Sequence, residues 1–166
     1  MTDYPITRTK LLTALVDALE PLGYVQAFWE SGAIAFDRVD EWSDADIQMV
    51  VEDERVEDAF EAIEDILNAL SEIDLKFRLP EPTWHGHSQC FYTLKDASPF
   101  LMLDLVILKA SADFTEFLTA QVHGQPHVFF DKAGVVNVKL VDIDDHFGKI
   151  KNRLEQIKQV FPISRS

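Results

Sequence analysis

Cysteine and glycine are scarce in this chain of 166 residues, which contains one cysteine and six glycines. Because Cys90 has no second cysteine to pair with, an intramolecular disulfide framework is excluded. The chain has no Walker loop, no Gly-x-Gly-x-x-Gly fingerprint and no nucleophile elbow. These absences exclude P-loop nucleotide hydrolases, dinucleotide-binding domains and α/β-hydrolases.

A long apolar run is also missing. The most apolar stretch, Phe100 to Leu108, is short and is interrupted by Asp104, whereas a membrane helix needs about 20 apolar residues. The N-terminal sequence lacks the basic and then apolar pattern of a signal peptide. We therefore expect a cytoplasmic protein that does not contact a membrane.

Basic residues are few, with 15 Lys and Arg against 29 Asp and Glu, for a net charge of −14. Since nucleic-acid affinity comes largely from Lys and Arg releasing counterions, DNA or RNA is an unlikely partner. The acids concentrate between Asp37 and Glu72, a segment with 14 acidic and two basic residues. For most of these acids the simplest interpretation is a solvated helix face.

The periodicity of apolar residues predicts helices and strands in alternation, with an α/β (α+β) fold whose mixed β-sheet is flanked by helices. One domain is expected over residues 1–166, with a core at about 6–140 and a C-terminal helix at about 144–161. The remaining predictions are helices from about Leu11 to Leu22, Val56 to Leu70 and Phe114 to Val122, and strands at Tyr24 to Trp29, Ile47 to Val51, Leu75 to Leu79 and His127 to Phe130. Cys90 to Leu94 and Phe100 to Leu108 should pair as an antiparallel hairpin.

Three carboxylates are not explained by a helix face. Asp44 and Asp46 lie two residues apart at the start of a predicted strand, so their side chains should project to one side of the sheet. Asp104 interrupts a strand that is otherwise apolar, where an unpaired charge would be costly. Carboxylate oxygens are the ligands that Mg²⁺ prefers. Two other interpretations stay open: a solvent-facing strand end for the pair, and an ion-paired core residue for Asp104.

The order and spacing of these residues resemble the nucleotidyltransferase superfamily of the DNA polymerase β type, in particular its small bacterial and archaeal members and antibiotic nucleotidyltransferases. That family has a Gly-Ser turn, then Ser-Asp-x-Asp at the start of a strand, and a third Asp on a later strand. The corresponding segments here are Gly32 to Asp37, Ser43 to Ile47 and Leu103 to Val106, followed by a turn at His127 to Gly134. The resemblance covers roughly residues 6 to 140.

The resemblance implies an enzyme that transfers a nucleoside monophosphate from an NTP to a hydroxyl, with Mg²⁺ or Mn²⁺ as cofactor. Asp44, Asp46 and Asp104 would bind the metal, and Asp104 would also orient or deprotonate the acceptor hydroxyl. Gly32 would let the backbone approach the phosphates, and Ser43 would brace the turn. Given the acidic composition, a small molecule or a protein is the expected acceptor.

Two positions depart from the family pattern. Ala33 stands where the family has a serine, which removes a hydroxyl from the nucleotide-binding turn that also includes Arg38, and Asp37 stands where a second glycine is common. A shift of register by two positions would let Ser31 replace the missing hydroxyl. Arg38 is the nearest cation in sequence for neutralising a triphosphate, with Lys95 and Lys109 as further candidates.

These departures support an alternative, a catalytically weakened member that binds a nucleotide or a partner protein, such as the antitoxin of a toxin–antitoxin pair. A homodimer is possible under either hypothesis. The remaining conspicuous side chains have simpler interpretations. His85, His87, His123 and His127 are expected in loops, Cys90 as a buried and inert thiol, and Trp42 at the rim of a core or of an acceptor pocket.

Overall fold

A computed structural model describes residues 4–140, 147, 148 and 151. The described chain contains three α-helices and six strands. The helices are α1 (Arg8–Leu19), α2 (Val56–Leu70) and α3 (Ala120–His123); the strands are β1 (Val25–Glu30), β2 (Ala45–Val51), β3 (Ile73–Arg78), β4 (Ser88–Leu94), β5 (Leu103–Lys109) and β6 (His127–Asp131). Short 3₁₀ helices occupy Gly32–Phe36, Asp53–Arg55 and Thr115–Leu118.

All six strands belong to one sheet, in the order β3-β4-β5-β2-β1-β6. The central pair, β2 and β5, is parallel, and every other neighbouring pair is antiparallel. The predicted mixed sheet flanked by helices is therefore confirmed, as is the antiparallel hairpin of β4 and β5.

The helices α1 and α2 cover one face of the sheet, which we call the helix face. Thr7 caps α1 by accepting the Lys10 amide hydrogen, and the buried leucines of α1 recur at four-residue spacing as Leu11, Leu15 and Leu19. In α2 the apolar stripe predicted from the sequence is buried: Val56, Ala59, Phe60, Ile63 and Leu67. These side chains pack with the inward-facing residues of the strands into the larger core cluster.

The opposite face, which we call the site face, has a smaller core. Ala27, Trp29, Val50, Val106 and Leu108 project from the strands and pack with Leu118, Phe114, Phe117, Val135 and Val136. This cover lies over the region of β1, β2 and β5. Over β3, Leu75 and Phe77 are exposed on the site face.

Several element boundaries differ from the sequence prediction. The helix expected from Phe114 to Val122 is divided into two short helices because Thr119 is extended, with φ −89° and ψ 108°. The 3₁₀ helix at Gly32–Phe36 was not predicted. The strand expected from Phe100 begins at Leu103. The C-terminal helix predicted at about 144–161 lies largely outside the described residues.

No helix in the part of the chain that the structure describes is long and apolar enough to cross a lipid bilayer.

Candidate functional site

Two of the three predicted aspartates lie side by side at the centre of the sheet. Asp46 on β2 and Asp104 on β5 are register partners of the parallel central pair. Because side chains alternate along a strand, both project to the site face, as do Gln48, Val50 and Val106 further along the same strands. Asp44 lies just before β2 and is partly buried. The fold therefore places these carboxylates at one edge of the two central strands.

Gly32 lies directly against Asp46. Its φ is +65°, and a Cβ atom built on Gly32 would stand 1.7 Å from Oδ2 of Asp46. The Ser31 amide donates to the Asp46 carbonyl oxygen at 2.9 Å, which fixes the start of the 3₁₀ helix beside the strand. Position 32 consequently requires glycine both for its backbone conformation and for the approach of the carboxylate.

The carboxylates destabilise one another in their charged forms. Burial, followed by the charges of Asp44 and Asp104, raises the pKa of Asp46 to about 6. Burial also raises the pKa of Asp104, and Asp44 acts in the same direction. Partly desolvated like charges of this kind favour either protonation or a bound cation.

A fourth carboxylate, and the cation that pairs with it, were not predicted from the sequence. Glu30, at the end of β1, is 2% exposed and forms an ion pair with Arg8 at the start of α1. Burial outweighs the attraction of Arg8 and raises the pKa of Glu30 to about 7, with Asp46 and Asp44 adding to the rise. Glu30 could have been noticed as the one acid in the apolar strand Val25–Glu30, but its pairing with Arg8 depends on the packing of α1.

Arg8 is the cation whose charge acts on Asp46. The candidates from the sequence lie elsewhere: Arg38 is exposed, with its guanidinium 5.7 Å from the centre of the Phe36 ring. Lys95 pairs with Glu72 at 2.9 Å, beside the β3 edge of the sheet. Asp104 is the second residue of β5 and Lys109 is the last, so the two residues lie at opposite ends of the strand.

The conformation of the turn between Gly32 and β2 agrees with the expectations for Ser43 and Asp37 and differs from the expectation for Ser31. Ser43 braces the loop, donating from its hydroxyl to the Asp40 carboxylate at 2.8 Å. Asp37 has φ 55°, the left-handed conformation that a glycine would adopt more readily. Ser31 does not replace the hydroxyl missing at Ala33, because its own hydroxyl donates to Oε1 of Gln48 at 2.8 Å in a buried position.

Asp104 is held by a chain of hydrogen bonds that the sequence did not indicate. Nε2 of Gln89 on β4 donates to Oδ1 of Asp104 at 2.6 Å. Oε1 of the same amide is 3.0 Å from Nε2 of His85, and the His87 amide donates to Nδ1 of His85 at 3.1 Å. Since Nδ1 is an acceptor, Nε2 carries the hydrogen and donates to Gln89.

The histidines near this chain of hydrogen bonds belong to an aromatic cluster. His85 and His87 stack at 5.7 Å, Phe117 lies 5.5 Å from His87, and His123 stacks on Phe117 at 5.9 Å. His85 and His87 occupy a loop, as predicted, but the loop is not simply solvated, because His87 is only 7% exposed and its burial lowers its pKa.

The neighbouring segment returns to the Gly32–Phe36 helix. A Cβ atom on Gly124 would meet the Ala35 carbonyl oxygen at 2.6 Å, and the Gln125 amide donates to that oxygen at 3.2 Å. These contacts form a closed ring of residues. It includes the Gly32–Phe36 helix, the two aspartates Asp46 and Asp104, Gln89 and the aromatic cluster.

The remaining predicted residues are not part of this ring of contacts. Trp42 is 58% exposed and meets Phe100 edge to face at 4.5 Å, which makes it a surface residue near Asp44. His127 is exposed at the start of β6. Cys90 is buried on the helix face, and burial raises the pKa of its thiol, as expected for an inert cysteine.

A hard divalent cation fits the chemistry of this donor set, which consists of carboxylate oxygens whose charges repel one another. Among the described residues, no three His, Cys, Asp or Glu side chains stand close enough together to form a preassembled metal cluster. Asp44, Asp46 and Asp104 would therefore have to converge on an ion as it binds.

Comparison with known proteins adds nothing to these observations. No family model matches the chain, and no curated protein matches it.

Proposed function

We propose that this protein is a divalent-cation-dependent nucleotidyltransferase, which transfers a nucleoside monophosphate from an NTP to a hydroxyl group of a small molecule or a protein. One observation carries the proposal. Asp46 and Asp104 are register partners on parallel central strands and face the same side, and Gly32 lies against the Asp46 carboxylate.

Asp44, Asp46 and Asp104 would hold Mg²⁺ or Mn²⁺, which when bound supplies positive charge to the triphosphate. Among the residues that the structure describes, two cations of this region already have partners, because Arg8 pairs with Glu30 and Arg38 stacks beside Phe36. This is why a cation is an integral part of the proposal.

The reaction joins the acceptor oxygen to the α-phosphorus and breaks the bond from that phosphorus to pyrophosphate. The hydroxyl proton passes to a carboxylate oxygen of Asp104, a group whose pKa burial raises above its ordinary value. Catalysis of this kind depends mainly on positioning and on charge neutralisation. Gly32 contributes by leaving room for the Asp46 carboxylate, which a Cβ atom at position 32 would displace.

The net charge of −14 favours acceptors other than nucleic acids.

Calorimetric titration of each NTP, with and without Mg²⁺, tests the proposal on the wild type, on Asp46→Asn and on Asp65→Asn. Asp65 is an exposed acid on α2 and serves as the matched control. We expect binding that requires Mg²⁺, that Asp46→Asn weakens by at least about tenfold, and that Asp65→Asn leaves unchanged. Binding that is indifferent to both metal and Asp46 would overturn the proposal.

A second candidate function, a nucleotide-binding or partner-binding protein without catalysis, is favoured by the turn that follows β1. Ala33 has no hydroxyl, and the Ser31 hydroxyl is already bonded to Gln48. Release of pyrophosphate during incubation with a panel of hydroxyl acceptors and proteins separates the two functions. Mg²⁺-dependent binding without pyrophosphate or labelled product would identify the binding protein.

A further inference from the structure

The hydrogen-bond chain that ends on Asp104 has a defined direction. It begins at the backbone amide of His87, passes through the imidazole of His85 and the amide of Gln89, and ends at Oδ1 of Asp104. Within it, the His85 ring and the Gln89 amide each accept one hydrogen bond and donate one, so neither can reverse without breaking a neighbouring bond. The backbone of the loop therefore fixes the orientation of the final carboxylate.

The strands explain why Gln89 can serve this purpose. Gln89 on β4 is the register partner of Val106 on β5, two residues beyond Asp104, so Gln89 and Asp104 are diagonal neighbours on the site face. The same registration pairs Phe91 with Asp104 directly. A glutamine has the length to span this diagonal, and its amide hydrogen favours the ionised carboxylate.

The loop is itself held in place. The Thr83 hydroxyl donates to the His87 carbonyl oxygen at 2.5 Å. Trp84 and Phe117 both meet the His85 ring edge to face, with ring centres 4.9 and 5.8 Å away. The imidazole is therefore oriented by its neighbours before any ligand arrives.

We propose that Gln89 and His85 are positioning residues, which hold Asp104 by Oδ1 and direct Oδ2 toward the cation and the acceptor hydroxyl. This inference rests on the proposed function. Metal ligands are commonly oriented by such outer partners, and loss of the partner costs about 10-fold to 100-fold in metal affinity.

Substitutions at His85 separate hydrogen bonding from ring packing. In His85→Gln the side-chain amide nitrogen can take the place of Nε2 as donor to Gln89, whereas His85→Phe keeps an aromatic ring and loses the donor. We expect His85→Gln to bind Mn²⁺ and nucleotide nearly as the wild type does, and His85→Phe to bind Mn²⁺ at least about tenfold more weakly. The opposite order would assign His85 to packing alone and overturn the inference.

Gln89→Leu provides a second test, with Gln48→Leu as its matched control. Both glutamines are register partners of Val106 on β5 and project to the site face, but Gln48 is bonded to Ser31 rather than to an aspartate. We expect Gln89→Leu to reduce Mn²⁺ affinity by about 10-fold to 100-fold and Gln48→Leu to affect chiefly the urea midpoint. Equal Mn²⁺ affinities in the two folded variants would overturn the inference.

The NMR signal of the Gln89 side-chain amide tests the hydrogen-bond chain in the absence of metal. In the metal-free protein, its ¹H–¹⁵N signal should be protected from solvent exchange in the wild type and in His85→Gln, and should lose protection in Asp104→Ala or His85→Phe. Absence of protection in the wild type would contradict the hydrogen-bond chain. Failure of the wild type to bind Mn²⁺ and nucleotide would instead overturn the proposed function, so the two failures are distinguishable.

Discussion

The two faces of the sheet use the same strands for opposite purposes. On β2 and β5, Ile47 and Leu105 enter the helix face and are fully buried, whereas the adjacent Asp46 and Asp104 reach the site face and are partly exposed. Alternation along a strand lets a stable apolar layer lie directly behind an electrostatically unfavourable one. The helix face supplies the larger apolar core, and the site face carries the two aspartates, whose charged forms burial makes costly.

Truncation of the helix face is expected to give the largest change in stability. Ile63 on α2 is fully buried among the core residues. Ile63→Ala should lower the free energy of unfolding by about 3 to 4 kcal/mol, because it removes buried methyl groups and leaves a cavity. Urea denaturation measures this change. The Mg²⁺-dependent nucleotide affinity of the folded variant should be unchanged, and a parallel loss of affinity would show that the two faces are coupled.

A change of comparable size should follow from adding one carbon atom to the site face. In Gly32→Ala the new Cβ would collide with the Asp46 carboxylate at a positive φ, so we expect a loss of about 2 to 3 kcal/mol. Gly134→Ala is the matched control, since Gly134 has φ +66° and no heavy atom within 4 Å of a built Cβ. It should cost only about 1 kcal/mol for its backbone conformation. Equal losses in thermal unfolding would refute the close approach.

The buried carboxylates on the two faces, Glu30 on the helix face and Asp46 on the site face, should also make the metal-free protein less stable as pH rises. Glu30 and Asp46 have pKa values of about 7 and about 6 in the folded state, above their ordinary values of 4.5 and 3.8. Their protonated forms stabilise the fold, so this contribution is complete below the unfolded pKa values and is lost as pH rises through 6 to 7. Between pH 6.5 and 8 we expect a loss of about 1 kcal/mol.

His87 opposes this loss at the acidic end of the window, because burial lowers its folded pKa and its unfolded imidazole is half protonated at pH 6.5. Urea midpoints at the two pH values give the slope. Glu30→Gln should flatten most of it, and saturating Mg²⁺ should reduce the share due to Asp46. A slope that persists in Glu30→Gln would assign the pH dependence to other groups.

The smallest expected effect concerns Asp37, which adopts φ 55° after the Gly32–Phe36 helix. Asp37→Gly should raise stability by about 0.5 kcal/mol because glycine adopts this conformation without strain, while Asp37→Ala should lower it slightly. Differential scanning calorimetry can resolve the order of the two melting temperatures. A higher melting temperature for the alanine variant would contradict it.

Much of the fold could be predicted from local patterns. The helix from Val56 to Leu70 and the β4–β5 hairpin each depend on residues close in sequence, and each is confirmed. The helix expected from Phe114 to Val122 was wrong as a single element because Thr119 is extended and bridges to Lys139. The Lys139 amide donates to the Leu118 carbonyl oxygen, and the Ala120 amide donates to the Lys139 carbonyl oxygen. Such an interruption depends on a partner that is 20 residues away in the chain.

The three aspartates were identified from their spacing and from the cost of a charge in an apolar strand, both of which are properties of the sequence. Their alignment as register partners depends on β2 and β5 being parallel neighbours, which sequence order alone does not specify. The same is true of Arg8 with Glu30, 22 residues apart, and of Gln89 with Asp104, 15 residues apart. Which residues have the chemistry for a metal site follows from composition and spacing, both of which are local. Which side chains neutralise or orient those residues follows from the packing of the elements, because packing sets the pairing across strands.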